Sequence, residues 1–249
     1  MTRFFFVSHP TREEAYDLRK ELEAFVLDSG AMVVTDPRQA DFSVAIGGDG
    51  TVVGAYRACS APVLGINDGN VGYLARVEKE NAFTAVKAVL DGRYEIESRM
   101  TLSCEAGGET FCALNDAALV KSGVSPVSVS VCVDDTGLMR LTADGLIVST
   151  PTGSTGYSLS AGGPIADPMS ELIILTPVAP HTLMSRPIVL SAKSRVRLTA
   201  NRDAVLLIDG QRYDLPADTP VRIEKSEQYM HFVSFGRENF ISRLREKLS

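Results

Sequence analysis

The sequence predicts an α/β N-terminal domain, a mainly parallel sheet with flanking helices, followed by an all-β C-terminal domain and a terminal helix packing back on the first domain. Up to about residue 92, short apolar strands alternate with stretches of helical periodicity, which is typical of strand–helix–strand units. From Arg93 onward apolar residues recur at every second position, which is typical of half-buried strands. We therefore divide the chain into 1–95, the α/β domain, and 96–249, the β-rich domain with its terminal helix.

The first domain begins with an apolar strand, Phe4 to Ser8, and a helix, Thr11 to Ser29. Gly30 follows at the position where a glycine commonly ends a helix. The remaining predicted elements are strands at 31–34, 42–46 and 63–66 and helices at 51–59 and 81–90. Their order favours a parallel sheet with helices on its faces.

The second domain shows its clearest alternation at Val127 to Val133, which a turn at Asp134 to Gly137 follows. A second turn is predicted at Asp209-Gly210. Further strands are predicted at 138–141, 146–149, 172–175, 196–198, 205–208 and 221–223, and the final helix at 238–248. So many short strands indicate a sandwich or a related all-β packing.

Composition excludes several classes of protein. The net charge of −6 and the pI of about 5.2 argue against a general nucleic-acid surface. No stretch approaches the roughly 18 apolar residues of a membrane span, so we expect a soluble, cytoplasmic protein. The four cysteines form no Cys-x-x-Cys pair and there are three histidines, which argues against a structural zinc site.

A glycine loop, Gly47-Gly48-Asp49-Gly50, follows the apolar strand that ends at Ile46. Ligands of open α/β sheets bind outside the carboxyl ends of the strands, and the start of the next helix favours phosphate. A carboxylate would repel phosphate, so Asp49 would bind a bridging metal ion or take a proton from an attacking hydroxyl. A tight turn with Asp at a favoured position is an equally good interpretation of the loop alone.

Two other stretches carry candidate binding groups. Residues 143–165, ADGLIVSTPTGSTGYSLSAGGPI, are rich in hydroxyls and glycines that can hydrogen-bond a ribose or a base edge. Tyr157 within this stretch could stack on a base. Asn115-Asp116 places two polar side chains in an apolar segment, where they could hold two ribose hydroxyls or merely form a turn at a strand end. The sequence contains neither a P-loop nor a Gly-x-Gly-x-x-Gly fingerprint after a strand.

Taken together, these stretches resemble the NAD kinase family. GGDGT at 47–51 is similar to the family's glycine motif, and GINDGNVGYL at 65–74 to the segment that follows it. Asn115-Asp116 lies where the family usually has Asn-Glu, and residues 144–165 resemble its long glycine- and threonine-rich motif. The resemblance implies phosphorylation of the 2′-hydroxyl of the adenosine ribose of NAD by ATP or polyphosphate, giving NADP. It also implies Mg²⁺ carried by the donor phosphates, and a homodimer or homotetramer whose neighbouring subunit completes the site.

The resemblance further implies a role for each matching residue. Asp49 would be the general base on the 2′-hydroxyl, or the group that orients it. Asn115 and Asp116 would hold the ribose hydroxyls. Asp144 would contact the nicotinamide half of NAD, either within its own subunit or across the subunit interface. The other implied binding residues are Gly47, Gly48 and Gly50 at the phosphates, Tyr73, Thr155 and Tyr157 at the adenine, and Thr51, Thr152, Gly156, Ser160 and Asp209 near the ligand.

Two departures and two rival functions accompany this hypothesis. Asp116 is one methylene shorter than the family's Glu, and Tyr73 adds a hydroxyl where the family often has Phe. A lipid kinase of the diacylglycerol or sphingosine type shares GGDGT, but in that group Asn-Glu tends to follow the glycine loop directly. A nucleotide-binding sensor without turnover is the other alternative, against which the presence of Asp49 argues.

Overall fold

A computed structural model describes residues 1–69, 72–181, 185–236, 240–241 and 244–245. The chain divides into two compact units: unit 1 is Met1–Ser98 with Met230–Ser249, and unit 2 is Arg99–Tyr229. The sequence places a single domain boundary, between residues 95 and 96. In the structure the chain crosses between the units twice, from unit 1 to unit 2 after Ser98 and back to unit 1 after Tyr229. The second crossing arises because the last long strand returns to unit 1, where Phe232 pairs with Val63.

Unit 1 contains a parallel sheet whose neighbouring strands are, in order, Val63–Asn67, Phe42–Ile46, Arg3–Ser8 and Met32–Val33. Its elements are β1 (Arg3–Ser8), α1 (Glu13–Asp28), β2 (Met32–Val33), β3 (Phe42–Ile46), α2 (Asp49–Ala58), β4 (Val63–Asn67), β5 (Val77–Glu78) and α3 (Ala82–Leu90). Short β5 extends this parallel arrangement by pairing with β4. The predicted strand–helix alternation is confirmed, and Gly30 ends the first helix in a left-handed conformation with φ +78°.

Two of the parallel strands of unit 1, β3 and β4, are covered on both faces. All five residues of β3 and all five of β4 are buried. Helix α1 buries Ala15, Leu18, Leu22 and Val26, four of the five residues that its periodicity places on one face. The fifth, Phe25, is partly buried and packs against the same cluster. Burial of one apolar helix face against a buried sheet is the dominant stabilising contribution to such a unit.

Unit 2 is built from antiparallel strands. Its elements, two of which run across the unit boundary, are β6 (Glu95–Ala106), β7 (Glu109–Ala113), β8 (Asp116–Lys121), β9 (Val127–Val133), β10 (Thr136–Ala143), β11 (Gly145–Ser149), α4 (Tyr157–Ser160), β12 (Leu172–Val178), β13 (Ile188–Ser191), β14 (Val196–Ala200), β15 (Ala204–Ile208), β16 (Gln211–Leu215) and β17 (Pro220–Ser234). One sheet has six strands in the order β13-β12-β11-β8-β15-β16. The other strands include the antiparallel series β10-β9-β14-β17 and the hairpin β6–β7.

The core of unit 2 is one hydrophobic cluster to which both groups of strands contribute, including Leu119 and Leu146 from the six-stranded sheet and Val129 and Leu198 from the other. The all-β domain predicted from the sequence is therefore confirmed. Sequence reasoning did not identify β6, β7, β8, β13 and β16 as separate strands.

The predicted terminal helix at 238–248, with its expected packing on the first domain, falls largely outside the described residues. Residues 240–241 and 244–245, which the structure does describe, are helical. Within the described part of the chain, no helix is long and apolar enough to cross a membrane.

Candidate nucleotide site

Helix α2 begins directly at the glycine loop, with Gly48 as its N-cap and Asp49 as its first residue. The Asp49 carboxylate turns to the segment 73–75 and accepts three consecutive backbone N–H groups. Oδ2 accepts from Tyr73 at 2.9 Å, and Oδ1 accepts from Leu74 at 2.8 Å and from Ala75 at 3.2 Å. A carboxylate so held has a fixed orientation, while Oδ2 accepts a single hydrogen bond from the described residues and keeps a lone pair for a ligand hydroxyl.

The glycine loop is closely packed on its inner side and open on its outer side. A Cβ at Gly47 would lie 2.4 Å from the Thr51 hydroxyl, so a larger residue there would displace the Thr51 side chain. A Cβ at Gly48 or Gly50 would meet nothing within 4 Å, so the backbone there is accessible. The loop contributes to the wall of a cavity of about 370 Å³ that the end of β1 and Arg12 also line.

Arg12 brings a positive charge to this cavity. It lies at the N-cap of α1, and its guanidinium donates a hydrogen bond to the carbonyl oxygen of Asp68. Its side chain remains about half exposed, so part of the guanidinium is accessible to an anion. Backbone N–H groups at the start of α2 together with a nearby guanidinium form a suitable environment for phosphate.

A second carboxylate arrangement lies in unit 2, in the turn between β15 and β16. Asp209 accepts three consecutive backbone N–H groups from 114–116. Oδ2 accepts from Leu114 at 2.9 Å, and Oδ1 accepts from Asn115 at 2.7 Å and from Asp116 at 3.1 Å. The backbone that carries Asn115 and Asp116 is therefore held by this turn.

Asp116 is buried, with 6% of its surface exposed, although its side chain is ionisable. Burial, and secondarily the nearby Asp209 carboxylate, raise the pKa of Asp116 to about 7. Among the residues that the structure describes, no group donates a hydrogen bond to its carboxylate. The carboxylate is therefore free to accept hydrogen bonds from the hydroxyls of a ligand.

The hydroxyl-rich stretch packs its first half against the 114–116 backbone. The Thr150 hydroxyl donates to the carbonyl of Leu114 at 2.6 Å and accepts from the N–H of Gly153 at 3.0 Å. A Cβ at Gly153 would lie 2.0 Å from the carbonyl oxygen of Asn115, so glycine is required there for this close approach. Thr150 and Gly153 thus have a supporting role that the sequence alone did not reveal.

The second half of the stretch is more accessible. Tyr157 is 39% exposed, and burial, together with the carboxylates of Asp116 and Asp144, raises its pKa. Asp144 forms a 2.7 Å ion pair with Lys121. An exposed aromatic ring close to two carboxylates is suited to stacking on a base whose sugar hydroxyls the carboxylates bind.

Comparison with known proteins identifies the family. The sequence profile of the ATP-NAD kinase N-terminal domain matches residues 35–94, and that of the ATP-NAD kinase C-terminal domain matches residues 114–235. A NAD kinase from Clostridium botulinum is 40% identical over 233 residues, covering 89% of this chain and 83% of that protein. The chain belongs to the ATP-NAD kinase family. Another NAD kinase of this family, from Methanothermobacter thermautotrophicus, is 35% identical and covers 100% of this chain and 96% of its own.

Solved structures of NAD and NADH kinases share the fold. The NAD kinase from Archaeoglobus fulgidus in complex with ATP superposes with a TM-score of 0.85 at 31% identity, covering 99% of this chain and 98% of that one. Yeast NADH kinase complexed with NADH gives a TM-score of 0.92 at 23% identity, covering 100% of this chain and 87% of that one. The second likeness bears on the fold alone.

The residues that the NAD kinase resemblance assigned to a site fall into two groups. The glycine loop, Asp49, Thr51 and Tyr73 lie in unit 1; Asn115, Asp116, Asp144, Thr152, Thr155, Gly156, Tyr157, Ser160 and Asp209 lie in unit 2. Most are at least partly accessible, but Gly47, Asp116 and Thr152 are buried. The Thr152 hydroxyl accepts a hydrogen bond from the buried Arg99 at 3.3 Å. Arg12 was not predicted, since a single arginine ahead of a helix carries no distinctive sequence signal.

Proposed function

We propose that this chain is a NAD kinase that transfers a phosphoryl group from ATP or polyphosphate to the 2′-hydroxyl of the adenosine ribose of NAD, giving NADP. The 2′-oxygen forms a bond to the γ-phosphorus as the bond from that phosphorus to the bridging oxygen breaks, and ADP leaves when ATP is the donor. The hydroxyl proton passes to Asp49 or, with Asp49 orienting the hydroxyl, to solvent.

The observation that carries this proposal is the buried carboxylate of Asp116, which has no hydrogen-bond donor among the described residues. Ribose hydroxyls are donors of the kind it lacks. Asn115 precedes it on the same fixed backbone, so an amide and a carboxylate can accept and donate at two adjacent hydroxyls. Asp116 is shorter than the family's usual Glu, so we expect the ribose to lie closer to the backbone of 115–116.

Asp49 supports the chemical step by its fixed orientation. Its three N–H donors hold the carboxylate in one orientation, which suits it to orient the hydroxyl. Phosphoryl transfer depends more on positioning and charge neutralisation than on covalent chemistry. The cavity beside the glycine loop, with Arg12 on its wall, is our proposed position for the donor phosphates.

Mg²⁺ in this proposal is bound through the donor phosphates. Groups of three or more His, Cys, Asp or Glu side chains suited to a metal ion do not occur in the described part of the chain. Phosphate oxygens would therefore supply most ligands, and the ion would neutralise charge on the transferred group. A homodimer or homotetramer and a cytoplasmic location remain predictions.

The decisive experiment incubates purified protein with NAD, Mg²⁺ and either ATP or polyphosphate, and detects NADP with an NADP-specific dehydrogenase. We expect NADP with at least one of the two donors. Parallel reactions with diacylglycerol and sphingosine test the lipid kinase alternative. NAD binding without NADP formation from either donor would favour a sensor and contradict the proposal.

A further inference from the structure

We propose that Asp209 is a positioning residue, which sets the backbone of 114–116 and thereby the placement of Asn115 and Asp116 toward the ribose, without itself touching the ligand. This inference rests on the proposed function for its meaning in catalysis. Its geometric basis is the set of three hydrogen bonds of 2.7–3.1 Å from consecutive N–H groups to one carboxylate.

The turn that carries Asp209 is firmly connected to the strand that Asp116 begins. Strand β15 pairs with β8 up to the register Ile208–Ala117, so the turn follows directly beside the start of β8. The N–H of Asp209 donates to the carbonyl of Asp116 at 2.9 Å, which makes the contact reciprocal. Asp209 has φ +44° and Gly210 φ +81°, the left-handed pair typical of a type I′ hairpin turn.

The same arrangement occurs in unit 1, which argues that it is a functional device of this fold. At Asp49, as at Asp209, Oδ2 accepts from the first of three consecutive N–H groups and Oδ1 from the second and third. The distances are 2.9, 2.8 and 3.2 Å at Asp49 and 2.9, 2.7 and 3.1 Å at Asp209. Each carboxylate thus fixes a short segment that precedes a strand of its own unit.

Asp209 influences Asp116 through its charge as well as through the backbone. The charged and titratable groups near this region include the carboxylates of Asp116, Asp209 and Asp144. They also include the phenol of Tyr157, whose pKa Asp116 and Asp144 help to raise. Removing the charge of Asp209 should lower the pKa of Asp116, since like charges disfavour ionisation. Moving the Asp209 charge by one methylene should disturb the backbone of 114–116 more than it changes the pKa of Asp116.

The test compares Asp209→Asn and Asp209→Glu with the wild-type protein. Asp209→Asn places an amide NH₂ against backbone N–H donors and removes the charge; Asp209→Glu keeps the charge and moves the carboxylate by one methylene. We expect both variants to raise the KM for NAD about 10-fold or more, as for a lost charge-assisted hydrogen bond, with the KM for ATP within about 2-fold. The pH midpoint of NAD binding should fall in Asp209→Asn alone.

Asp203→Asn is the matched control, because the Asp203 carboxylate also accepts a backbone N–H, that of Ala217 at 2.9 Å, on an exposed loop. Its kinetic constants and pH midpoint should equal those of the wild type. Unchanged NAD affinity and an unchanged pH midpoint in Asp209→Asn would overturn the proposal, whatever happens to the melting temperature.

Amide hydrogen exchange makes the test independent of turnover and of variant folding. In the free wild-type protein, the N–H groups of 114–116 should be protected, and Asp209→Glu should exchange them faster while leaving β9 unchanged. Rapid exchange of these amides in the wild type would directly contradict the positioning role of Asp209. Absence of NADP formation together with protected amides would instead contradict the kinase proposal and leave the positioning role of Asp209 supported.

Discussion

The backbone N–H of Leu74 donates to Oδ1 of Asp49 at 2.8 Å, so the first residue of α2 also anchors the segment that follows β4. Asp49 therefore has two functions to lose on substitution, the orientation of a hydroxyl and the support of 73–75. The sequence predicted the first, and the structure adds the second.

Asp49→Asn should lower kcat by about 10²- to 10⁴-fold, the usual contribution of a general base, while NAD still binds. Its Kd should rise by about 10-fold at most, because the support of 73–75 is weakened. Steady-state kinetics and calorimetry measure the two effects. Asp36→Asn is the control, since Asp36 also accepts a backbone N–H, from Arg38 at 3.1 Å, but on an exposed surface. Near-normal turnover in Asp49→Asn would remove this residue from the chemical step.

Gly153→Ala should weaken NAD binding by at least about 10-fold, because the added methyl group would lie 2.0 Å from the carbonyl oxygen of Asn115 and displace that backbone. Overpacking of this kind typically costs about 1–3 kcal/mol, so the melting temperature should also fall by several degrees. Gly123→Ala is the control, because a Cβ there meets nothing within 4 Å. Equal NAD affinity in the two variants would argue against a tight 115–153 contact.

Tyr157→Ala should weaken NAD binding by about 5- to 100-fold, the range expected for loss of base stacking worth about 1–3 kcal/mol. Tyr157→Phe keeps the ring and should bind NAD within about 3-fold of the wild type. Because the ring is 39% exposed, neither substitution should change the melting temperature much. Similar affinities for the Ala and Phe variants would exclude stacking.

Stability should depend on pH through Asp116. Its pKa is raised from 3.8 to about 7 in the folded protein, so the folded state holds a proton that the unfolded state releases near pH 4. The stabilising contribution of this group is fully present below about pH 4 and is lost as pH rises toward about 7. Asp116→Asn should therefore raise the melting temperature relative to the wild type by at least about 3 °C more at pH 8 than at pH 5.

NAD affinity should show the opposite trend, because the ionised Asp116 accepts ribose hydroxyls more strongly. Calorimetry between pH 5 and pH 8 should find wild-type affinity rising through about pH 7 and no corresponding step in Asp116→Asn. A wild-type affinity that is constant across this range would contradict the assignment of Asp116 to the ribose.

The fold could be predicted from the sequence where hydrophobic periodicity is strong. It could not be predicted where pairing between distant segments determines the structure. The face of α1 that includes Ala15, Leu22 and Phe25 follows from local spacing, and the structure buries four of its five residues and partly buries Phe25. Strand β17 was predicted only at 221–223 because its charged residues, which alternate with apolar ones early in the strand, obscure its 15-residue length. Its return to unit 1 depends on pairing with β4, which no local pattern encodes.

The candidate site shows the same limit. Asp49 and Asn115-Asp116 were identifiable because polar residues at strand ends are conspicuous in an apolar context. The partnership between Asp209 and 114–116 joins positions more than 90 residues apart, and the need for glycine at 153 appears only when the Asn115 carbonyl is placed beside it. Spatial neighbours of this kind cannot be deduced from spacing along the chain.

Strand β17 also has a consequence for biosynthesis. Val233 belongs to the hydrophobic cluster of unit 1, and Phe232 pairs with Val63, although the rest of that cluster is encoded before residue 90. During translation, unit 2 can be complete while unit 1 still awaits its last strand from the ribosome. We therefore expect the N-terminal segment of the nascent chain to depend on chaperones until the chain is released. We also expect a chain truncated before residue 230 to fold in unit 2 but not in unit 1.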